Sequence, residues 1–155
     1  KIWKEYMQTF SKCFEEEEDG FCGSYDAYLI ETKKENLANF LKSNIDDDGR
    51  IYEAIKKETE SILIIKNLNI EKEFQGQGYG SEILSEVLNE SYAQAAILMC
   101  DILEGQLPGF VLEKFYESHD FKTIETYQDY PVMIYPESLA NKIIDNLNPK
   151  KSLKP

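Results

Sequence analysis

Phe74-Gln75-Gly76-Gln77-Gly78-Tyr79-Gly80 is the stretch on which the reading of this chain turns. Before it lies Ser61–Ile70 (SILIIKNLNI), a β-branched run that predicts a central strand. After it comes SEILSEVLNESY, residues 81–92. There Ile83, Leu84, Val87 and Leu88 fall on one helical face, and Glu82, Glu86 and Glu90 on the other. Closely spaced glycines let the backbone turn tightly and approach a ligand. The turn then opens a helix, whose free N–H groups and dipole favour an anion. The task implied is holding a phosphate or pyrophosphate. A P-loop would close on Gly-Lys-Ser/Thr, whereas Gly80 is followed by Ser81 and Glu82. A dinucleotide loop would space its glycines G-x-G-x-x-G, whereas Gly76, Gly78 and Gly80 stand two apart. A plain glycine turn between strand and helix is the bland alternative.

Working outward, Trp3, Tyr6, Met7, Phe10, Cys13 and Phe14 recur at steps of three and four, which predicts an amphipathic helix over residues 2–17. The acidic run from Glu15 to Asp19 reads as a solvated loop ending at Gly20. A short strand is expected over 25–32 and a helix over 35–43, with Leu37, Phe40 and Leu41 on one face. Asp46-Asp47-Asp48-Gly49 is a turn; it lacks the EF-hand spacing and the closing Glu. Residues 50–57 (RIYEAIKK) alternate and predict a strand. Further strands are expected over 95–101, 121–127 and 131–136, and helices over 109–118 and 137–147. Residues 149–155 predict a disordered basic tail. The sum is one α/β domain of the α+β kind over residues 1–148.

The chain has 155 residues, 42% of them apolar, enough for one real core without a metal or a disulfide. No apolar run is long enough to cross a bilayer. The net charge is −12, and of the 17 basic residues only Arg50 is an arginine. An acidic surface repels nucleic acid and anionic membranes and attracts cations, and one arginine argues against phosphate clamps built from Arg forks. Cys13, Cys22 and Cys100 are odd in number and at no metal-ligand spacing, and His119 is the sole histidine, so no metal site is expected. Three reduced thiols and no visible signal peptide predict a cytoplasmic protein.

Gln75, Gly78 and Gly80 fit a further pattern: Gln or Arg, two residues, Gly, one residue, then Gly or Ala. In this the loop resembles the acyl-coenzyme-A loop of the GNAT superfamily of N-acetyltransferases. That superfamily also carries a Tyr in a later helix, five residues before a Phe that opens the next strand. Tyr116 and Phe121, in Phe115-Tyr116-Glu117-Ser118-His119-Asp120-Phe121, supply the pair. The resemblance covers about residues 50–136. It departs where Asp120 replaces the Gly usual before the Phe, where Gly109 stands near a frequent Asn, and where a helix is expected in place of the first strand.

The resemblance implies a mixed, mostly antiparallel central sheet flanked by helices, with splayed central strands. It implies acetyl-CoA as acyl donor and no metal. The backbone of Leu68, Asn69 and Ile70 would line the pantetheine arm. Gln75, Gly76, Gln77, Gly78, Tyr79, Gly80 and Ser81 would hold the pyrophosphate. Tyr116 would return a proton to the leaving thiolate, a role for which a phenol with a pKa of about 10 is suited. A core aromatic is the bland reading of Tyr116. Asp101 is the candidate base, with Glu104 beside it; both could equally be surface charges. His119 titrates near neutrality as a residue type, yet its place predicts a solvent-facing helix cap. The acidic balance suits a cationic amine: a polyamine, an aminoglycoside-like molecule or a Lys-bearing peptide. A homodimer is common in the superfamily, although no residue pattern here requires one. The alternative from another class is a non-catalytic acidic binding protein, either a coenzyme A sensor or a nucleic-acid mimic.

Overall fold

The computed structural model describes residues 7–16, 20–33, 35–44, 49–70, 78–91, 93–100, 109–127 and 130–148. Their strands are β1 (Met7–Glu16), β2 (Gly20–Glu31), β3 (Ser61–Ile70), β4 (Ala96–Met99), β5 (Lys122–Tyr127) and β6 (Tyr130–Tyr135). Their helices are α1 (Glu35–Asn44), α2 (Arg50–Glu58), α3 (Tyr79–Ser91), α4 (Gly109–Glu117) and α5 (Glu137–Leu147). The expected tail, residues 149–155, lies outside the described residues, as does the Asp46-Asp47-Asp48 turn.

The apolar run in β3 is buried on both faces. Ile62 and Ile64 point to one side of the sheet, Leu63 and Ile65 to the other. A strand covered on both sides needs no alternation, which is why this one reads as a continuous β-branched run. On the first side α1, α2 and α5 contribute Leu37, Leu41, Ile51, Ala54, Ile55, Ala140 and Ile143. On the second side α3 and α4 contribute Ile83, Leu84, Val87 and Tyr116. Full burial of one such aliphatic side chain is worth about 1.5–3 kcal/mol. Thr32 is the one buried polar residue in the described core. Its N–H donates to the Glu60 carbonyl at 2.9 Å and its hydroxyl to the Thr59 carbonyl, which joins the end of β2 to the start of β3.

The sheet runs β1-β2-β3-β4-β6-β5. Every pairing is antiparallel except β3 with β4. That parallel pair is short: Leu63 faces Ala96, Ile64 faces Ile97, and the register ends there. Beyond it β3 stays with β2 as far as Ile70 opposite Gly23, and β4 stays with β6 as far as Met99 opposite Val132. The central strands therefore part toward their C-terminal ends, the splay implied by the resemblance.

Two expected elements are different. Residues 7–16 form a strand paired with β2 from Met7 opposite Ile30 to Glu16 opposite Gly20, not part of a helix over 2–17. Phe10, Cys13 and Phe14 satisfy a helical spacing, but the long pairing with β2 overrides that local preference. A first strand is thus present. Residues 50–58 form a helix, not a strand. Ile51, Ala54 and Ile55 are its buried residues, at steps of three and one, and they pack on α5. Its first turn closes through Glu53 N–H donating to the Gly49 carbonyl at 3.1 Å, with Gly49 at φ +78°. The β2 strand is also longer than expected and starts at Gly20.

The helical reading of 50–58 separates two neighbours. Ala54→Asp is expected to destabilise the fold by several kcal/mol, because it buries an unpaired carboxylate. Glu53→Ala is expected to change stability by less than about 0.5 kcal/mol. Urea unfolding of the two variants checks this; a strand with residues 51, 53 and 55 inward would reverse the order.

Candidate active site

The helix end after the glycine loop is built as an anion would need it. Gly78 lies at φ +88°, a conformation that side chains with a Cβ adopt at a cost. No atom lies within 4 Å of where a Cβ would sit on it, so backbone conformation rather than crowding asks for glycine there. The carbonyl of Gly78 accepts from Glu82 N–H at 3.2 Å, which makes Gly78 the entry to α3. In such a first turn the N–H groups of Tyr79, Gly80 and Ser81 have no intrahelical acceptor. Together with the helix dipole and the Ser81 hydroxyl they fit a multiply charged phosphate group. Gln75, Gly76 and Gln77 lie outside the described residues.

A groove of about 480 Å³ runs from the same turn along the outer face of α3, lined among the described residues by Ser81, Glu82, Ser85, Glu86 and Asn89. Its two carboxylates make it a poor bed for phosphate. Leu68, Asn69 and Ile70 lie on the part of β3 that has left β4. On their other side Asn69 still faces Ser24, and Ile70 faces Gly23. The β4-facing backbone edge of that stretch has no strand against it among the described residues.

Tyr116 enters through the end of α4. Phe121 N–H donates to the Tyr116 carbonyl at 3.1 Å, and Asp120 N–H to the Glu117 carbonyl at 3.2 Å. Asp120 sits at φ +71°. These two bonds around one left-handed residue are the Schellman motif, which places a side chain of the helix against one five positions later. Here that contact is Tyr116 with Phe121, ring centroids 5.7 Å apart. Glycine takes this conformation without penalty, and Asp120 takes it at some conformational cost. Tyr116 is 8% exposed and packs in the second-side core with Leu84, Leu98 and Cys100. It is a core aromatic, in ring contact with Phe115 and Phe121.

His119 is not the solvent-facing cap expected of it. It is half-buried, and its Nε2 lies 3.0 Å from Ser81 Oγ. Phe115 meets its ring edge-on at 4.9 Å. One hydrogen bond thus joins the end of the Tyr116 helix to the first turn of α3, across 38 positions of sequence. No local pattern signals that pairing; Ser81 and His119 each look ordinary alone. Asp101 and Glu104 lie outside the described residues, as do the side chains of Leu68, Asn69, Ile70 and Tyr79. Arg50 is engaged with Glu125 at 2.8 Å on the other side of the sheet, an exposed pair worth less than about 1 kcal/mol. Among the described residues no group of His, Cys, Asp and Glu could hold a metal ion, and no helix is long and apolar enough to cross a membrane.

Of the positive-φ positions, the two at this site, Gly78 and Asp120, are expected to respond to exchange with opposite signs. Gly78→Ala should lower stability by about 1–2 kcal/mol, the cost of that conformation for a residue with a Cβ. Asp120→Gly should raise it by up to about 1 kcal/mol. Denaturant unfolding midpoints measure both, and a loss of stability in Asp120→Gly would contradict the cap geometry.

No protein-family model matches this chain, and no curated protein matches it. Solved structures do. A 1.9 Å crystal structure of an acetyltransferase from Bacillus cereus ATCC 14579 superposes with a TM-score of 0.52 at 15% identity, over 83% of this chain and 72% of that one. Arabidopsis thaliana NAA60 in complex with acetyl-CoA gives 0.49 at 11% identity, over 84% and 76%. FeeM, an N-acyl amino acid synthase from uncultured soil microbes, gives 0.46 at 13% identity, over 86% and 74%. The first of these likenesses shows the fold: the chain shares that of this acetyltransferase, a mixed, mostly antiparallel sheet flanked by helices, as the resemblance implies.

Proposed function

We propose that this protein is an acyl-CoA-dependent N-acetyltransferase that transfers an acetyl group from acetyl-CoA to a primary amine on a cationic acceptor. The observation that carries the reading is the Ser81–His119 hydrogen bond. It brings the two sequence motifs, the glycine-loop helix and the Tyr116 helix, to one place. An acetyltransferase among the structures of similar fold supports the same reading.

Bound there, acetyl-CoA supplies the activated acyl group. The chain's own residues do the rest. The amides of Tyr79, Gly80 and Ser81, with Gly78 and the preceding Gln75, Gly76 and Gln77, hold the pyrophosphate. The free backbone edge at Leu68, Asn69 and Ile70 lines the pantetheine arm. Tyr116 delivers a proton to the sulfur that leaves. Asp101 follows Cys100 at the parted end of β4 and accepts the proton of the amine, directly or through water. Positioning of this kind and proton transfer are the two things such a reaction needs from a protein. The net charge of −12 supports a cationic acceptor such as a polyamine, an aminoglycoside-like molecule or a Lys-bearing peptide. Cytoplasmic placement and a homodimer belong to the same proposal.

Acetyl-CoA at about a hundredfold over its Kd is expected to raise the Tm by about 5–10 °C, since it binds only the folded state. Thiol release from acetyl-CoA should appear with at least one polycationic amine. Tyr116→Phe should lose about a hundredfold or more in kcat while keeping coenzyme affinity. Normal turnover in that variant would remove Tyr116 as proton donor. Coenzyme binding without turnover on any amine would leave a coenzyme A sensor. No Tm shift at all would overturn both enzyme and sensor, and leave the acidic mimic.

A further inference from the structure

Ser81 holds two donors at the mouth of α3, its N–H and its hydroxyl, and the hydroxyl is already engaged with His119. A hydroxyl has one hydrogen. If Ser81 O–H donates to His119 Nε2, it cannot also donate to an anion at the helix end. If Nε2 carries the hydrogen and donates to Ser81 Oγ, the Ser81 hydrogen is released toward the helix mouth. A phosphate oxygen only accepts, so its arrival favours the second arrangement. The imidazole is held for this role from two sides. Its ring rests edge-on against Phe115, and its backbone N–H donates to the Tyr116 carbonyl at 2.9 Å. Both Ser81 and His119 are half-buried, so water competes only partly for their bond.

We infer that His119 is a positioning residue for the coenzyme. It donates Nε2–H to Ser81 Oγ, and Ser81 donates its hydroxyl hydrogen to a pyrophosphate oxygen. The inference rests on the coenzyme reading above and adds to it a residue outside the glycine loop. The chain of bonds runs from bound anion through Ser81 and His119 to the carbonyl of Tyr116.

Acetyl-CoA titration by calorimetry tests this in four full-length variants, with each variant's Tm checking that it is folded. Ser81→Ala is expected to raise the acetyl-CoA Kd about tenfold, the scale of one hydrogen bond to a charged group, and His119→Leu about three- to tenfold, because the hydroxyl it leaves is no longer oriented toward the anion. The double variant should be no more than about twofold weaker than the weaker single one, because both changes cut one chain of bonds. His119→Gln, which keeps an N–H near the position of Nε2, should recover affinity to within about threefold of the original. Turnover should fall through KM for acetyl-CoA and not through kcat. His119 is the only histidine, so its ring nitrogens are directly assignable by NMR. Nε2 is expected to carry a proton in the acetyl-CoA complex.

The inference is overturned if His119→Leu binds within twofold of the original protein, or if His119→Gln is as weak as His119→Leu. It is equally overturned by an additive double variant or by an unprotonated Nε2 in the complex. An original protein that binds no acetyl-CoA would instead overturn the coenzyme reading, and this inference with it.

Discussion

The parting of β3 from β4 is the constraint on which the rest of the molecule depends. Strand backbone groups have to be hydrogen-bonded, and a central strand that loses its neighbour exposes a row of them. Here the parallel register lasts for two residue pairs, and among the described residues β3 then runs on from Ile65 to Ile70 with β2 as its only paired strand. Such a gap in the middle of a sheet needs strong flanks. They are present: Ile62 to Ile65 are buried on both faces, and β4 is held by β6 to its last residue. Cys100 N–H then donates to the Pro131 carbonyl at 2.8 Å and continues that hold. The helix that connects the two strands, α3, starts on the side where they part. Free amides at its first turn and, among the described residues, a strand edge without a paired neighbour therefore both follow from the order of strand, helix and strand.

The Tyr–Phe spacing that carried half of the resemblance has a structural explanation that needs no chemistry. Five residues is the separation at which a Schellman cap brings two side chains together, and Tyr116 and Phe121 are in contact. The motif alone would be met by any two apolar residues around a left-handed position. What the motif cannot supply is a partner for the turn. The Ser81–His119 bond supplies one, and it decides which helix mouth the end of α4 stands beside. The functional weight of Tyr116 thus rests on where the cap is docked, not on the spacing itself. Asp120 belongs to the same logic: it departs from the usual sequence and keeps the usual backbone.

How much of this was legible in the sequence differs by element, for physical reasons. The stretch expected to be the last helix, 137–147, is Glu137–Leu147 in the structure, and β3 spans the run that announced it. In both, burial and local preference point the same way. The strand expected over 50–57 is a helix because Ile51 and Ile55 are compatible with either period over so short a span. Ala54, the residue that decides, is too small to register as apolar patterning. Residues 7–16 were misread because the information lies in β2, up to 23 positions away at Met7 opposite Ile30. At the site, the helix mouth and Tyr116 were visible because each is a local pattern. The Ser81–His119 pair was not, because it exists only once two helix ends have been placed.

The charge of the chain and the charge of the proposed ligand are reconciled by the kind of donors used. The mouth of α3 offers amides and a hydroxyl, neither of which needs a lysine or arginine beside it. Glu82, exposed in the first turn, already draws on the same helix dipole. A singly charged anion offered only that dipole would gain little over Glu82. A pyrophosphate gains because it accepts several directed hydrogen bonds at once, which a side chain fixed at one position of the turn cannot match. The acidic surface and the neutral donor set therefore act together. In the proposed reading they would disfavour anions in general and leave room for one with many acceptor oxygens in the right place.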